Sequence, residues 1–411
     1  MIDRKLILTD KQYVKDQLLK KDYDIEYIDA IAKLLRAINR QTEALNELSQ
    51  KRNCQNRDNS VTLADKRKLR AYISNAQKDL NALEKYTLSL LYDVPNIPDP
   101  LSPVGHTEAD NIIISESHDH YKCKVINPLP HWEIGEKLGI FHSEASSKIS
   151  GSGFSVVSSK GAKLMRALIN YGLSLHEDNY KEFLTPHMVT SETLTTTGHL
   201  PKFAIEQYKS DKDDLWLIPT AEVPLTAIYK DRTFDYAQLP IKVMSYSIAF
   251  RRESGSAGRE TRGLQRVHEF HKVELLKIVE PESITEELMD LVDDCLKIIK
   301  DLKLRYRLVE LCTGEMGDKY ARCFDIEVYS PAVAKWLEVA SIGHFSDYQS
   351  RRANIKYKDK HGKNRLVYTL NGSGIAAARV WLSIIETYQQ PDGTIKVPDV
   401  LVPFMGCEYI S

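Results

Sequence analysis

Ser247-Ile-Ala-Phe-Arg-Arg-Glu-Ser-Gly-Ser-Ala-Gly-Arg-Glu-Thr-Arg-Gly-Leu-Gln-Arg-Val-His-Glu-Phe-His-Lys-Val-Glu274 is the stretch on which the fold reading turns. Two strand-like ends flank a loop that holds three glycines and several arginines. Arg251 and Glu253 stand at alternate positions of the first end, and Arg266, His268, Phe270, Lys272 and Glu274 alternate along the second. One sheet face would then carry guanidinium, carboxylate and an aromatic ring together. A solvated hairpin with surface ion pairs explains most charged ribbons, but it has little use for a Gly/Arg loop. Arginine forks match phosphate oxygens in pairs and an aromatic face stacks a base, so a phosphate-rich ligand is the better reading.

Outward from this ribbon, the second part of the chain alternates short apolar runs with loops. Leu164–Leu175 and 284–302 read as helices. Thr220–Tyr229, Ile241–Phe250, Phe270–Val279, Phe324–Val328 and 337–342 read as strands. No glycine-rich P-loop or dinucleotide fingerprint follows a strand. A mostly antiparallel sheet flanked by helices is expected. The first hundred residues differ. Ile28, Ile31, Leu35, Ile38, Thr42, Leu45 and Ser49 repeat at spacings of three and four, as do Leu69, Ile73, Ala76, Leu80, Leu83, Thr87 and Leu90. Asn53–Ser60 breaks the period, so an antiparallel coiled-coil hairpin is expected. Four prolines within 94–103 end the helix, which puts the boundary near residue 105: an N-terminal domain over 1–105 and a second over 106–411.

The chain has 411 residues, with 56 Lys+Arg against 57 Asp+Glu and 42% hydrophobic residues. That is enough for a sizeable core and excludes a disordered or globally basic protein. No apolar run nears the roughly 20 residues of a membrane helix, and the opening residues do not read as a signal peptide. Six dispersed cysteines without a C-x-x-C pair argue against a zinc site or a disulfide framework, so a reduced, cytoplasmic setting is expected. Charge is local instead. Lys51, Arg52, Arg57, Lys66, Arg67, Lys68 and Arg70 face only Asp58 and Asp65 across residues 51–70, leaving +5 at the hairpin tip.

F-R-x-E, a loop and R-x-H-x-F closely resemble motif 2 of class II aminoacyl-tRNA synthetases, and the run is most similar to that of the seryl-tRNA synthetase family. Thr197-Gly-His-Leu-Pro-Lys-Phe203, Thr220-Ala-Glu222, Glu338-Val-Ala-Ser341, Asp347–Arg352 and Asn371-Gly-Ser-Gly-Ile-Ala-Ala-Ala-Arg379 extend the resemblance in family order, and with the hairpin it spans essentially the whole chain. It implies an α+β protein, a tRNA-binding coiled-coil arm before a class II antiparallel sheet domain. It also implies that L-serine is activated with ATP and passed to tRNA(Ser), with tRNA(Sec) a further candidate. By the same resemblance, Arg251 and Arg379 are catalytic, on the α- and γ-phosphates. Arg252, Glu253, Val267, Phe270, Glu338, Val339, Ala340 and Ser341 complete the ATP site, and Glu338 with Ser341 holds Mg²⁺. Thr220, Ala221, Glu222, Glu274 and Ser373 bind serine. Lys51, Arg52, Lys66, Arg67, Lys68 and Arg70 bind tRNA. The first motif, at 161–186, implies a homodimer.

Three places depart from the family pattern: Gly343-His344 after Ser341, Glu269 between His268 and Phe270, and Ala376-Ala-Ala378 before Arg379. None removes a residue assigned to chemistry. Two other readings stand beside the ligase. One is a specialised or resistance paralogue that activates serine, and the other is an inactive RNA-binding homologue.

Overall fold

The computed structural model describes residues 1–58, 60–253 and 262–411. The chain divides into two compact units, Met1–Pro98 and Asp99–Ser411. The division falls ahead of residue 105 because the stretch after Pro98 is tied into the second unit. The Asp99 amide and the Ser102 hydroxyl both donate to the Ala321 carbonyl, and the Gly105 amide donates to Thr313 Oγ1.

In the first unit, two long helices, α1 (Glu26–Arg57) and α2 (Leu63–Asp93), follow two short ones at Arg4–Thr9 and Lys11–Leu19. At about 1.5 Å per residue each long helix runs about 45–50 Å. Ile28, Ile31, Leu35, Ile38 and Leu45 are buried against Leu80 and Leu91, with Ile73, Ala76, Leu83 and Leu90 packed beside them. This burial, rather than helix propensity, is what stabilises such long helices. Two seam positions are threonines, and each donates its hydroxyl to the carbonyl one turn back, Thr42 to Ile38 and Thr87 to Leu83, both at 2.8 Å. The helical period outlasts the sequence expectation: α1 continues to Arg57 through half of the stretch read as a loop. Polar side chains there hold the tip, since Arg70 donates to Asn56 Oδ1 and Lys66 to the Asp58 carbonyl. Thr62 then caps α2 by accepting from the Asp65 amide. Lys51, Arg57, Arg67, Lys68 and Arg70 are exposed.

The second unit is built on eight strands: β1 (Ile112–Glu116), β2 (Lys181–Glu182), β3 (Ile241–Phe250), β4 (Glu269–Val279), β5 (Tyr306–Glu310), β6 (Arg322–Ser330), β7 (Lys335–His344) and β8 (Tyr368–Ala376). They form one sheet in the order β1-β5-β6-β7-β8-β4-β3-β2, antiparallel throughout except for the β3–β2 pair. The helices Ser159–Ser174, Ile284–Asp301 and Ala377–Thr387 pack their apolar stripes on the sheet around Leu168, Leu291, Val292 and Trp381. One expected strand is a helix: Glu222–Ala227 lies inside Thr220–Tyr229. Pro224 suits the first turn of a helix, and Thr220 Oγ1 accepts from the Glu222 amide there. Register shifts between Glu338 and Ala340 and between Ser373 and Ile375 mark bulges in β7 and β8, which re-aim side chains at the cleft.

Candidate active site

A cleft of about 400 Å³ opens over β4, β7 and β8. Arg251, Glu253, Val267, Phe270, Glu338, Val339, Ser341 and Arg379 line it, with Thr220, Glu222 and Ser373. Arg251 and Glu253 reach it from beyond the end of β3 rather than from strand positions. Glu253 adopts a left-handed backbone, φ 49°, with its carboxylate 3.7 Å from Arg266. Four other candidates do not line the cleft. The Arg252 guanidinium lies over the Tyr208 ring, Ala221 packs in an apolar cluster with Leu225 and Phe234, and Ala340 is buried in the core. Glu274 is fully buried behind Thr220, Lys272 and Asn371, which do face the cleft. The Gly/Arg loop at 254–261 lies outside the described residues.

Two buried carboxylates form the inner end. Glu222 accepts from Lys319 Nζ at 2.9 and 2.7 Å, from Gln349 Nε2 at 2.6 Å and from Asn371 Nδ2 at 3.2 Å. Glu274 accepts from Asn371 Nδ2 at 2.8 Å, from Lys272 at 2.5 Å and from the Thr220 hydroxyl. The Asn371 amide must turn its NH₂ to both carboxylates, which leaves its Oδ1 buried without a hydrogen-bond partner. His199 completes this end. The Thr197 hydroxyl donates to the Leu194 carbonyl, so it accepts from His199 Nδ1–H at 2.8 Å, and His199 Nε2 presents its lone pair to Lys319 at 3.3 Å. Burial first, and then the Lys319 cation, hold the His199 imidazole well below its usual pKa, consistent with that neutral tautomer. Burial lowers Lys319 as well, against the opposite pull of Glu222.

At the outer end, Phe270 carries the Arg251 guanidinium 5.2 Å from its ring centre. Arg379 donates from Nε to the Gln265 carbonyl at 3.0 Å and from Nη1 to the Glu338 carbonyl at 2.6 Å, and lies 3.5 Å from the Glu338 carboxylate. Its platform is anchored from below. The fully buried His131 accepts the Leu264 amide on Nε2 at 2.9 Å, and its Nδ1 meets Glu386 of the Ala377–Thr387 helix at 2.8 Å. Gly263 must be glycine, because φ is 69° and a Cβ would lie 2.0 Å from His131 Nε2. Asp325, opposite Ser341 in the β6–β7 register, has a buried Oδ1 with no partner. Burial and then Glu338 push its carboxyl well above the usual range. Glu338, Ser341 and that orphaned oxygen are hard donors of the kind Mg²⁺ takes. Among the described residues no group of three His, Cys, Asp or Glu could hold a metal by itself.

Residues 203–388 match the family model of the class II core domain of tRNA synthetases (G, H, P, S and T). A serine–tRNA ligase of Synechocystis sp. is 46% identical over 346 residues, covering 83% of this chain and 80% of that protein. That of Thermotoga neapolitana is 42% identical over 434 aligned residues and covers the whole of both. A crystal structure of seryl-tRNA synthetase from Pyrococcus horikoshii complexed with ATP aligns over all of this chain and 99% of that one, with a TM-score of 0.89 and 31% identity. The chain belongs to the serine–tRNA ligase family. Among its departures from the family pattern, Gly343 has a local cause. A Cβ on Gly343 would lie 2.5 Å from the Arg322 carbonyl oxygen and 2.6 Å from the Tyr320 ring, so this chain needs glycine there. Tyr320 lines the cleft and stacks on Phe345 at 4.8 Å. His344 is buried with Nε2 3.2 Å from Asp99, which ties β7 to the start of the unit. Ala376 and Ala378 line the cleft as small walls, and Glu269 is exposed.

Several residues that build the cleft have no signature in the sequence. Lys319 sits in Gly314-Glu-Met-Gly-Asp-Lys-Tyr320, which carries no motif. His131 follows Pro128-Leu-Pro130 and gives no signal at all. Asn371 and His199 lie inside segments that resemble serine–tRNA ligases, but nothing local assigns them a role. An amide beside Gly372-Ser-Gly374, where backbone can approach a ligand, is the available clue for Asn371.

Proposed function

We propose that the chain activates L-serine with ATP to seryl-adenylate and pyrophosphate, and then transfers serine to the 3′ end of tRNA(Ser). The observation that carries this reading is one cleft with two chemistries. Paired buried carboxylates bridged by Asn371 form one end, and Arg251, Phe270 and Arg379 form the other. The serine carboxylate attacks the α-phosphorus, so two anions must meet. Arg251 faces the cleft from the outer end, and its guanidinium offsets that repulsion while holding the carboxylate in line. No general base is needed, since the nucleophile is already ionised. Adenine stacks on Phe270 and is read by Glu253 and the Val267 backbone, while Arg379 covers the γ-phosphate. Glu338 and Ser341 would hold Mg²⁺, which supplies charge neutralisation across the phosphates when bound. Glu274 is assigned to the serine ammonium, which would approach it between Thr220, Lys272 and Asn371 with further support from Ser373. A site whose polar groups must pair with a substrate hydroxyl rejects its deoxy analogue far better than a merely small pocket does.

The arm reading rests on the exposed cations at the tip of α1 and α2, which suit a phosphate backbone. Among the described residues no helix is long and apolar enough to cross a membrane, and a cytoplasmic homodimer fits a ligase of this family. The exposed isoleucines Ile112, Ile113 and Ile114 on the edge strand β1 support a self-pairing surface. Serine-dependent ATP–pyrophosphate exchange, followed by charging of total tRNA, tests the proposal. Exchange without charging would indicate another acceptor for the activated serine. Neither activity would indicate an RNA-binding homologue.

A further inference from the structure

We propose that Lys319 is a specificity-determining residue of the amino-acid end, a built-in ammonium that saturates Glu222 and so excludes cationic side chains. The inference rests on the serine reading of the cleft and goes one step deeper. By resemblance Glu222 is expected to contact the substrate directly. Instead, each of its oxygens already accepts two hydrogen bonds, from Lys319 and Gln349 on one and from Lys319 and Asn371 on the other. That fills the four acceptor positions of a carboxylate. Lys319 is therefore held by a partner that is only 2% exposed at its side chain, while its own side chain remains 14% exposed along the cleft. With Lys272 on Glu274 and Lys319 on Glu222 the inner end is electrically balanced, and Glu274, which takes Lys272 and Thr220 on one oxygen but Asn371 alone on the other, keeps one acceptor position for the substrate's α-ammonium.

A neutral hydroxyl meets that balance without penalty. The orphaned Asn371 Oδ1 can accept its proton, because the two carboxylates prevent the amide from turning. A second ammonium on the substrate finds no vacant carboxylate and faces Lys319 at close range, where like charges repel strongly in a partly desolvated pocket. Removal of the lysine ammonium would reverse the preference. It would expose the Glu222 carboxylate and leave a space shaped for an alkylammonium.

The test is isothermal titration calorimetry of the full chain with two probes of matched size, L-homoserine and L-2,4-diaminobutyrate, one with a terminal hydroxyl and the other with a terminal ammonium. It needs no catalysis, so it is separable from the ligase reading, which stands or falls on serine-dependent exchange by the unaltered chain. The unaltered chain should bind homoserine more tightly. In Lys319→Ala, both probes gain from the added room, but the ratio of their dissociation constants should swing toward diaminobutyrate by at least about tenfold, as expected for one charge-assisted contact. Glu222→Gln/Lys319→Ala has the same room and no uncompensated charge, so it keeps the experiment decisive where the single variant folds poorly. Its ratio should swing by at least about threefold, because repulsion is gone without new attraction. A ratio within about twofold of the unaltered chain in either folded variant overturns the assignment.

Discussion

Glu274→Gln isolates the charge of the residue assigned to the serine ammonium. Glu274 is fully buried and accepts from Asn371, Lys272 and Thr220. Truncation to alanine would leave the Lys272 ammonium, itself 9% exposed at its side chain, without its partner. Breaking a buried pair in that way costs about 3–5 kcal/mol, a large part of the roughly 5–15 kcal/mol by which domains are stable. Glutamine keeps the shape and one acceptor, so the fold should survive with a lowered Tm. What the substrate loses is a charge-assisted acceptor worth about 1.5–3 kcal/mol, or roughly 10- to 150-fold in kcat/KM for serine. The assay is serine-dependent pyrophosphate exchange, with thermal melting on the same sample. A value within a few-fold of the unaltered chain, in a folded variant, refutes the assignment of Glu274.

Three further outcomes are expected. Replacing Lys66, Arg67, Lys68 and Arg70 by Gln keeps helix propensity, should leave pyrophosphate exchange intact, and should weaken tRNA binding with a salt slope flatter by up to about 0.7–0.9 for each phosphate no longer neutralised; an unchanged slope would make the arm a coiled coil for some other partner. Gly343→Ser should lower Tm by the equivalent of about 1–3 kcal/mol and depress exchange, because the new Cβ meets the Arg322 carbonyl and the Tyr320 ring; a neutral result would mean that the Tyr320 loop yields freely. Lys11 and Lys15, each 2.5 Å from Asp29, hold that carboxyl at about 2, so its contribution is present above about pH 4 and is lost as pH falls through 2. The Tm gap between the unaltered chain and Asp29→Asn should narrow over that interval, and a constant gap would contradict it.

Period and spacing decide how much of this molecule can be read from its sequence. The heptad seam places α1 and α2, and the apolar runs at 241–250 and 270–279 place β3 and β4 nearly to the residue. The helix at 222–227 is hidden, because Glu-Val-Pro-Leu-Thr-Ala reads as part of an apolar run and only the Thr220 hydroxyl, which accepts from the Glu222 amide, and Pro224 signal its start. Alternation puts Arg251 and Glu253 on one face, yet both lie past the end of β3, where Glu253 takes a left-handed backbone that no strand pattern signals. Distant pairings have no local trace at all. Lys319 meets Glu222 across 97 positions and His131 meets Glu386 across 255, so tertiary structure alone defines their partners.

Whether this cleft joins serine to adenylate is decided by exchange of labelled pyrophosphate into ATP by the full chain, with each amino acid supplied singly and total tRNA added afterwards. Exchange should depend on serine, be far weaker with alanine, and be followed by charging of tRNA(Ser). Exchange supported equally by alanine, or by no amino acid, would mean that the paired carboxylates do not select serine.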